Sequence, residues 1–366
     1  MDDIMSPALL IDEDKCRRNI RHMIAKARHS DVIFRPHFKT HQSQIIGRWF
    51  REAGTEKICV SSLSMANYFA ADGWQDIMVA FPVNIREIQQ INELAARIQL
   101  SILIADSSVL PFLNEHLQHP TQFYIKIDVG NYRSGFHPDE TDDITRTLKE
   151  ASENRFLQFK GFVAHAGQTY QTHSLNDVQK AYSKGTRQLI SLRDMFREEY
   201  PGIIASWGDT PTCSLVNEFE GIDEIRPGNF VFYDLMQFHL ASCDWEQIAV
   251  AVAAPVVAKR KMRNEIILYA GAIHLSKDAV EISDLGHMHG EIVKITKKGW
   301  ERFPQPMYIN RVSQEHGIFH CPDECWNEFQ TGDLVGIIPA HSCLTANLLR
   351  ERFYNLKRET FFPEPR

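Results

Sequence analysis

Eight short runs of apolar and β-branched residues punctuate the first two-thirds of the chain, at 32–37, 57–62, 76–82, 100–106, 123–130, 161–167, 203–208 and 224–228. Segments with helical spacing alternate with them, at 15–29, 64–72, 84–97, 138–153 and 175–199. Strands joined through helices cannot pair as hairpins; they pair in parallel through right-handed crossovers. Eight such units close most simply into a (β/α)8 barrel of the TIM type, the open doubly wound sheet being the alternative. No Gly-x-Gly-x-x-Gly follows the first strand, which weakens a dinucleotide-binding sheet and favours the barrel.

After about Asp234 the texture changes. Runs at 247–259, 265–274, 291–296 and 333–338 read as strands with turns and few helices between them. This is a mostly antiparallel β-domain. The short strand in Pro7-Ala8-Leu9-Leu10-Ile11-Asp12 is a candidate to join it. The expected division is a barrel over 13–236 and a β-domain over 237–366 together with 1–12. The chain carries 40 basic and 47 acidic residues, a net charge of −7, which argues against nucleic acid or an anionic membrane as the main partner. Seven scattered cysteines and an acidic start at Met1-Asp2-Asp3-Ile4 point to a reduced, cytoplasmic protein without a signal peptide.

Barrel enzymes place their chemistry at the C-terminal ends of the strands. Lys39 follows the first strand in Arg35-Pro36-His37-Phe38-Lys39-Thr40-His41. A desolvated lysine there would be a Schiff-base nucleophile, the alternative being a side chain that snorkels to water. Arg133 sits in the turn after the fifth strand, and His165 and Tyr170 follow the sixth. Gly208-Asp209-Thr210-Pro211-Thr212 and Arg226-Pro227-Gly228-Asn229 end the seventh and eighth. Loops of this kind cradle phosphate through backbone amides and hydroxyls, although glycine and proline alone also make plain turns. A phosphorylated aldehyde bound to Lys39 satisfies all of these placements, and that describes pyridoxal 5′-phosphate.

These residues resemble the fold-type III pyridoxal phosphate enzymes, the class of alanine racemase, and more closely the D-serine dehydratase and D-threonine aldolase family. The match is carried by the segments above, by Asp128-Val129-Gly130 with Gly135, by Ser313-Gln314-Glu315-His316-Gly317 and by Pro339-Ala340-His341-Ser342-Cys343. The resemblance implies that Lys39 attaches the cofactor and abstracts a Cα proton. It implies that Arg133 partners the phenolic oxygen, that His165 and Tyr170 line the ring, and that Thr210, Gly228 and Asn229 hold the phosphate with Tyr233 nearby. It implies a homodimer.

On a strand, residues i and i+2 share a face, so His341 and Cys343 can grip one ion. Imidazole with thiolate favours Zn2+; taken alone, a core cysteine beside an exposed histidine fits equally. In the resembled family the dehydratases carry His-x-Cys here and the aldolases His-x-Asp, so the expected activity is dehydration of a D-3-hydroxyamino acid to a 2-oxo acid and ammonia. Aldol cleavage stands next, then racemization, then a non-catalytic carrier of the cofactor. His41, Glu315, His316 and His287 are the candidate substrate contacts.

Overall fold

The structure, a computed structural model, describes residues 1, 3–172, 174–296 and 298–363; the end of the expected β-domain at 364–366 lies outside them. The chain divides into two compact units, one of Arg21–Lys39 and Ile46–Gly228, the other of Met1–Ile20, Thr40–Ile45 and Asn229–Arg366.

A short strand β1 (Ala8–Ile11) precedes the barrel strands β2 (Ile33–Phe34), β3 (Lys57–Val60), β4 (Asp76–Pro82), β5 (Gln99–Ile104), β6 (Thr121–Ile127), β7 (Leu157–His165), β8 (Ile204–Gly208) and β9 (Glu224–Ile225). Among the described residues β2–β9 form one parallel eight-stranded sheet, ordered β2-β9-β8-β7-β6-β5-β4-β3. A bridge between His37 and Cys59 returns the chain of β2 to β3, so the expected (β/α)8 barrel is the observed fold. The first strand is shorter than the run 32–37 because Pro36 has no N–H to give a ladder. Its backbone still pairs onward, with Arg35 N on Ile225 O at 3.0 Å and His37 N on Pro227 O at 2.8 Å.

Inward positions of successive strands supply Cys59, Met78, Leu103, Tyr124 and Val163, one packed layer of the interior. A polar layer accompanies it. Arg35, 2 % exposed, puts Nε 2.7 Å from Glu224 Oε2 and Nη1 2.6 Å from Asp76 Oδ1. Ser206 Oγ donates to Glu224 Oε1 at 2.6 Å. Gly161 in β7, at the bulge of β7 against β6, would place a Cβ 2.0 Å from Ile204 O of β8, so no side chain fits there.

Helices Glu13–His29, Leu63–Ala71, Ile88–Ala95, Thr141–Ala151 and Leu175–Phe196 occupy the expected connections. Gln44–Glu52 and Leu110–His116 are helices that the spacing did not reveal. The first is short, and its core face is only Ile46, Gly47, Trp49 and Phe50.

The second unit is built on β10 (Val250–Arg260), β11 (Glu265–Tyr269), β14 (Gly290–Thr296), β15 (Gly299–Arg302), β16 (Tyr308–Val312), β17 (His316–His320) and β18 (Leu334–Pro339). A separate hairpin is formed by β12 (Val280–Ile282) and β13 (Gly286–Met288). Pairing runs β11-β17-β16-β14-β18-β10, and β10 pairs again with β11, so the antiparallel ladder closes on itself. β1 adds to β10 in register Ala8 with Ala253, and β19 (Phe353–Asn355) and β20 (Thr360–Phe361) follow it.

Candidate active site

Phe38, immediately before Lys39, is fully buried with its ring 4.9 Å from Phe50, 5.0 Å from Phe69 and 5.1 Å from Trp74. Its N–H donates to Cys59 O at 2.8 Å. The turn that carries Lys39 is therefore anchored by packing rather than by the lysine. Lys39 itself is exposed, so of the two readings of a strand-end lysine the side chain that reaches water is the one observed. The position, not burial, singles it out.

His37 and His165 flank that position. Burial lowers the pKa of His165 well below its ordinary value, and the charges of Lys39, Arg133, Lys126 and Arg226 lower it further. His37 is lowered in the same way, by burial first and then by Lys39 and Arg226. Both imidazoles are neutral around physiological pH. The cationic side chains of Lys39, Arg133 and Arg226 at the strand ends of the barrel make a natural seat for an anionic, phenolic group.

Beyond β8, Asp209 caps the helix Thr210–Leu215, accepting from Thr212 N at 2.7 Å and Thr212 Oγ1 at 2.6 Å. Burial raises its pKa to about 6 against those bonds. The Thr210 amide donates to Tyr170 Oη at 3.2 Å, and the Gly228 amide to Thr210 Oγ1 at 3.3 Å. Tyr170, Thr210 and Gly228 thus form one cluster at the ends of β7, β8 and β9. Arg133 is presented by a loop wrapped around Asp128, whose carboxylate accepts the amides of Gly130, Asn131, Tyr132 and Arg133 at 2.9–3.0 Å. Gly135 closes the loop at φ 105°, where a Cβ would lie 2.5 Å from Lys126 O.

The β-unit holds a second cluster. Cys343 Sγ lies 3.3 Å from Thr40 Oγ1 and 3.5 Å from Asn229 Nδ2. Asn229 Nδ2 also donates to Asp234 Oδ2 at 2.6 Å, and Asp234 Oδ2 accepts from Ser342 N at 2.8 Å. Tyr233 is buried at φ 50°, a conformation that a bulky residue adopts only under constraint. His341 Nδ1 lies 2.6 Å from Asp278 Oδ2. Burial opposes its protonation, but the hydrogen bonds to Asp278 and Cys343 hold its pKa up at about 11. The imidazole therefore bridges a carboxylate and the Cys343 sulfur.

The alanine racemase N-terminal domain model matches residues 11–235, and the putative serine dehydratase domain model matches 249–354. The chain belongs to the D-serine dehydratase and D-threonine aldolase family, with an alanine racemase-type barrel. D-serine dehydratase of Dictyostelium discoideum is 28 % identical over 96 % of this chain and 93 % of its own length. The structure of D-threo-3-hydroxyaspartate dehydratase from Delftia sp. HT23 superimposes with TM-score 0.89 at 25 % identity, covering 100 % of this chain and 98 % of that one. A mutant of that dehydratase in the metal-free form superimposes equally well, with TM-score 0.89 at 25 % identity over the same shares of the two chains.

Within this dehydratase and aldolase family member, the other expected residues are placed as follows. His41 is fully buried, accepts from Ser43 N at 3.1 Å, and is lowered by burial to about 3. Glu315 lies in the turn entering β17 and His316 is the first residue of that strand; the turn receives the amides of Ala272 and Ile273 on Ser313 O and Gln314 O. His287 is exposed on β13. The strand premise for His341 and Cys343 is corrected: β18 ends at Pro339, His341 is the N-cap residue, and Cys343 stands in the first turn of the helix Ser342–Leu348. The two side chains meet nonetheless, across a strand-to-helix turn. Asp278 is absent from the sequence reading, since no local pattern marks it. Arg226 was noted only as a motif member, yet it is buried, with Nε on Ser206 Oγ at 2.7 Å and Nη2 on Ala164 O at 2.5 Å. Among the described residues no helix is long and apolar enough to cross a membrane.

Proposed function

We propose that the chain is a pyridoxal phosphate- and zinc-dependent lyase that removes water from D-serine and related D-3-hydroxyamino acids, leaving a 2-oxo acid and ammonia. The observation that carries the choice of dehydration is Cys343, a thiol in contact with His341, where an aldolase of this family would place a carboxylate. The barrel residues fit the organic cofactor. Lys39 would attach it, Arg133 would face its phenolic oxygen, and Tyr170, Thr210 and Gly228 would hold its phosphate, with Asn229 and Tyr233 next in the chain. Bound there, pyridoxal phosphate supplies the electron sink that lets a Cα proton leave an amino acid.

His341 and Cys343 fit a zinc ion by donor chemistry. Among the described residues no group of three or more His, Cys, Asp or Glu makes a closed cage, so two protein ligands leave the remaining positions to water or substrate. Such an ion supplies Lewis acidity to a departing hydroxyl. The chain's own part is to place bases. Lys39 Nζ takes the Cα proton, neutral His165 lines the ring without adding a competing charge, and Glu315 or His316 orients the leaving hydroxyl. The reading includes a homodimer in the cytoplasm, and sedimentation of the full chain tests the assembly.

A panel of D-amino acids, scored for both 2-oxo acid and aldehyde, tests the reaction. Pyruvate from D-serine supports dehydration. Acetaldehyde and glycine from D-threonine, without pyruvate from D-serine, would replace it by the aldolase.

A further inference from the structure

We infer that Asp278 is the positioning residue for the metal ligand His341, selecting Nε2 as the coordinating nitrogen by engaging Nδ1; this rests on the zinc reading of the same cluster. The contact is His341 Nδ1 to Asp278 Oδ2 at 2.6 Å, between residues 63 apart in the chain. A metal-bound histidine characteristically offers its other nitrogen to a carboxylate, which fixes the ring's tautomer and orientation and raises its basicity.

The segment that carries Asp278 is built for the task. It begins at Gly271, where a Cβ would lie 2.3 Å from Gln314 O, and it receives the turn 313–314 through the amides of Ala272 and Ile273. Leu275 O accepts from Thr345 Oγ1 at 3.2 Å, tying the segment to the helix that holds Cys343. Ser276 adopts φ 70°, a constrained backbone for a residue with a side chain, and its Oγ accepts the Asp278 amide at 3.0 Å. On the other side Asp278 O lies 3.0 Å from His289 Nδ1. Asp278 is thus held at its amide, its carbonyl and its carboxylate, and its neighbours are fastened to the same short helix as the thiol. A solvated surface aspartate has no need of a strained turn and three anchors.

The test uses the full chain loaded with pyridoxal phosphate. Zinc affinity is measured by competition with a chromophoric chelator, and the visible spectrum is recorded after cobalt replaces zinc. Asp278→Asn is expected to weaken zinc binding roughly 10–100-fold and to alter the cobalt spectrum, with cofactor content and melting temperature unchanged. Asp278→Glu is expected to bind zinc with intermediate affinity. Wild-type zinc affinity and a wild-type cobalt spectrum in Asp278→Asn would overturn the inference. If Asp278→Asn does not fold, Asp278→Glu decides, and an unshifted affinity there overturns it equally. His341→Ala and Cys343→Ala separate the two levels: if both retain wild-type zinc affinity, the metal reading itself fails, whereas their loss of zinc beside an unaffected Asp278→Asn removes only the role of Asp278.

Discussion

Thr40 Oγ1 lies 3.3 Å from Cys343 Sγ, although 303 residues separate them. Thr40 is the residue after Lys39, so the covalent chain runs in one step from the proposed cofactor lysine to a contact of the proposed metal ligand.

The anchoring of Lys39 is testable through its neighbour. Phe38→Ala removes a ring packed on Phe50, Phe69 and Trp74, at a cost of about 3–5 kcal/mol. Because the lost packing also fixes the Lys39 turn, pyridoxal phosphate affinity is expected to fall together with the urea midpoint. Undiminished cofactor binding in a destabilised variant would show that the turn is held by other means.

The polar layer of the barrel predicts a large stability effect far from the chemistry. Glu224→Ala leaves the Arg35 guanidinium buried beside Asp76 alone, and removing one partner of a buried pair costs about 3–5 kcal/mol. Burial opposes the charge on Arg35, but Glu224 and Asp76 raise its pKa above the ordinary value, so the side chain cannot escape by losing its proton. Chemical denaturation of the variant measures the loss, and a shift within about 0.5 kcal/mol, ordinary for a surface site, would contradict it.

Lys126 predicts a pH dependence. Burial, followed by the charges of Arg226 and Arg133, lowers its pKa to about 7 from an ordinary 10.5. Between those values the unfolded chain holds a proton that the folded chain does not. Its contribution to stability therefore rises as pH climbs from about 7 to 10.5, by as much as a few kcal/mol. Urea midpoints of wild type and Lys126→Met should converge or cross as pH rises, the wild type gaining. Parallel curves would assign the amine an ordinary pKa.

Much of the barrel is legible in the sequence because parallel strands buried on both faces leave continuous apolar runs, and helical crossovers space them evenly. The run 76–82 coincides with β4. What was not legible depends on contacts distant in the chain. Arg35 reads as part of the lysine motif, but its guanidinium belongs to Glu224 and Asp76 in the barrel interior. Lys39 reads as a strand-end residue that is either desolvated or turned to water; His37 still makes a β-bridge, and the turn that starts at Phe38 carries Lys39 outward. His341 and Cys343 read as neighbours on a strand, whereas an N-cap and a first helical turn bring them together. Asp278 leaves no local trace, since its meaning comes from a histidine 63 residues away.

Formation of pyruvate from D-serine by the full chain, followed before zinc removal, after chelation and after zinc is returned, tests the central claim most directly. The account predicts that turnover is lost on chelation while the cofactor stays bound, and that it is restored by zinc. Undiminished pyruvate formation from protein shown to be free of metal would contradict it.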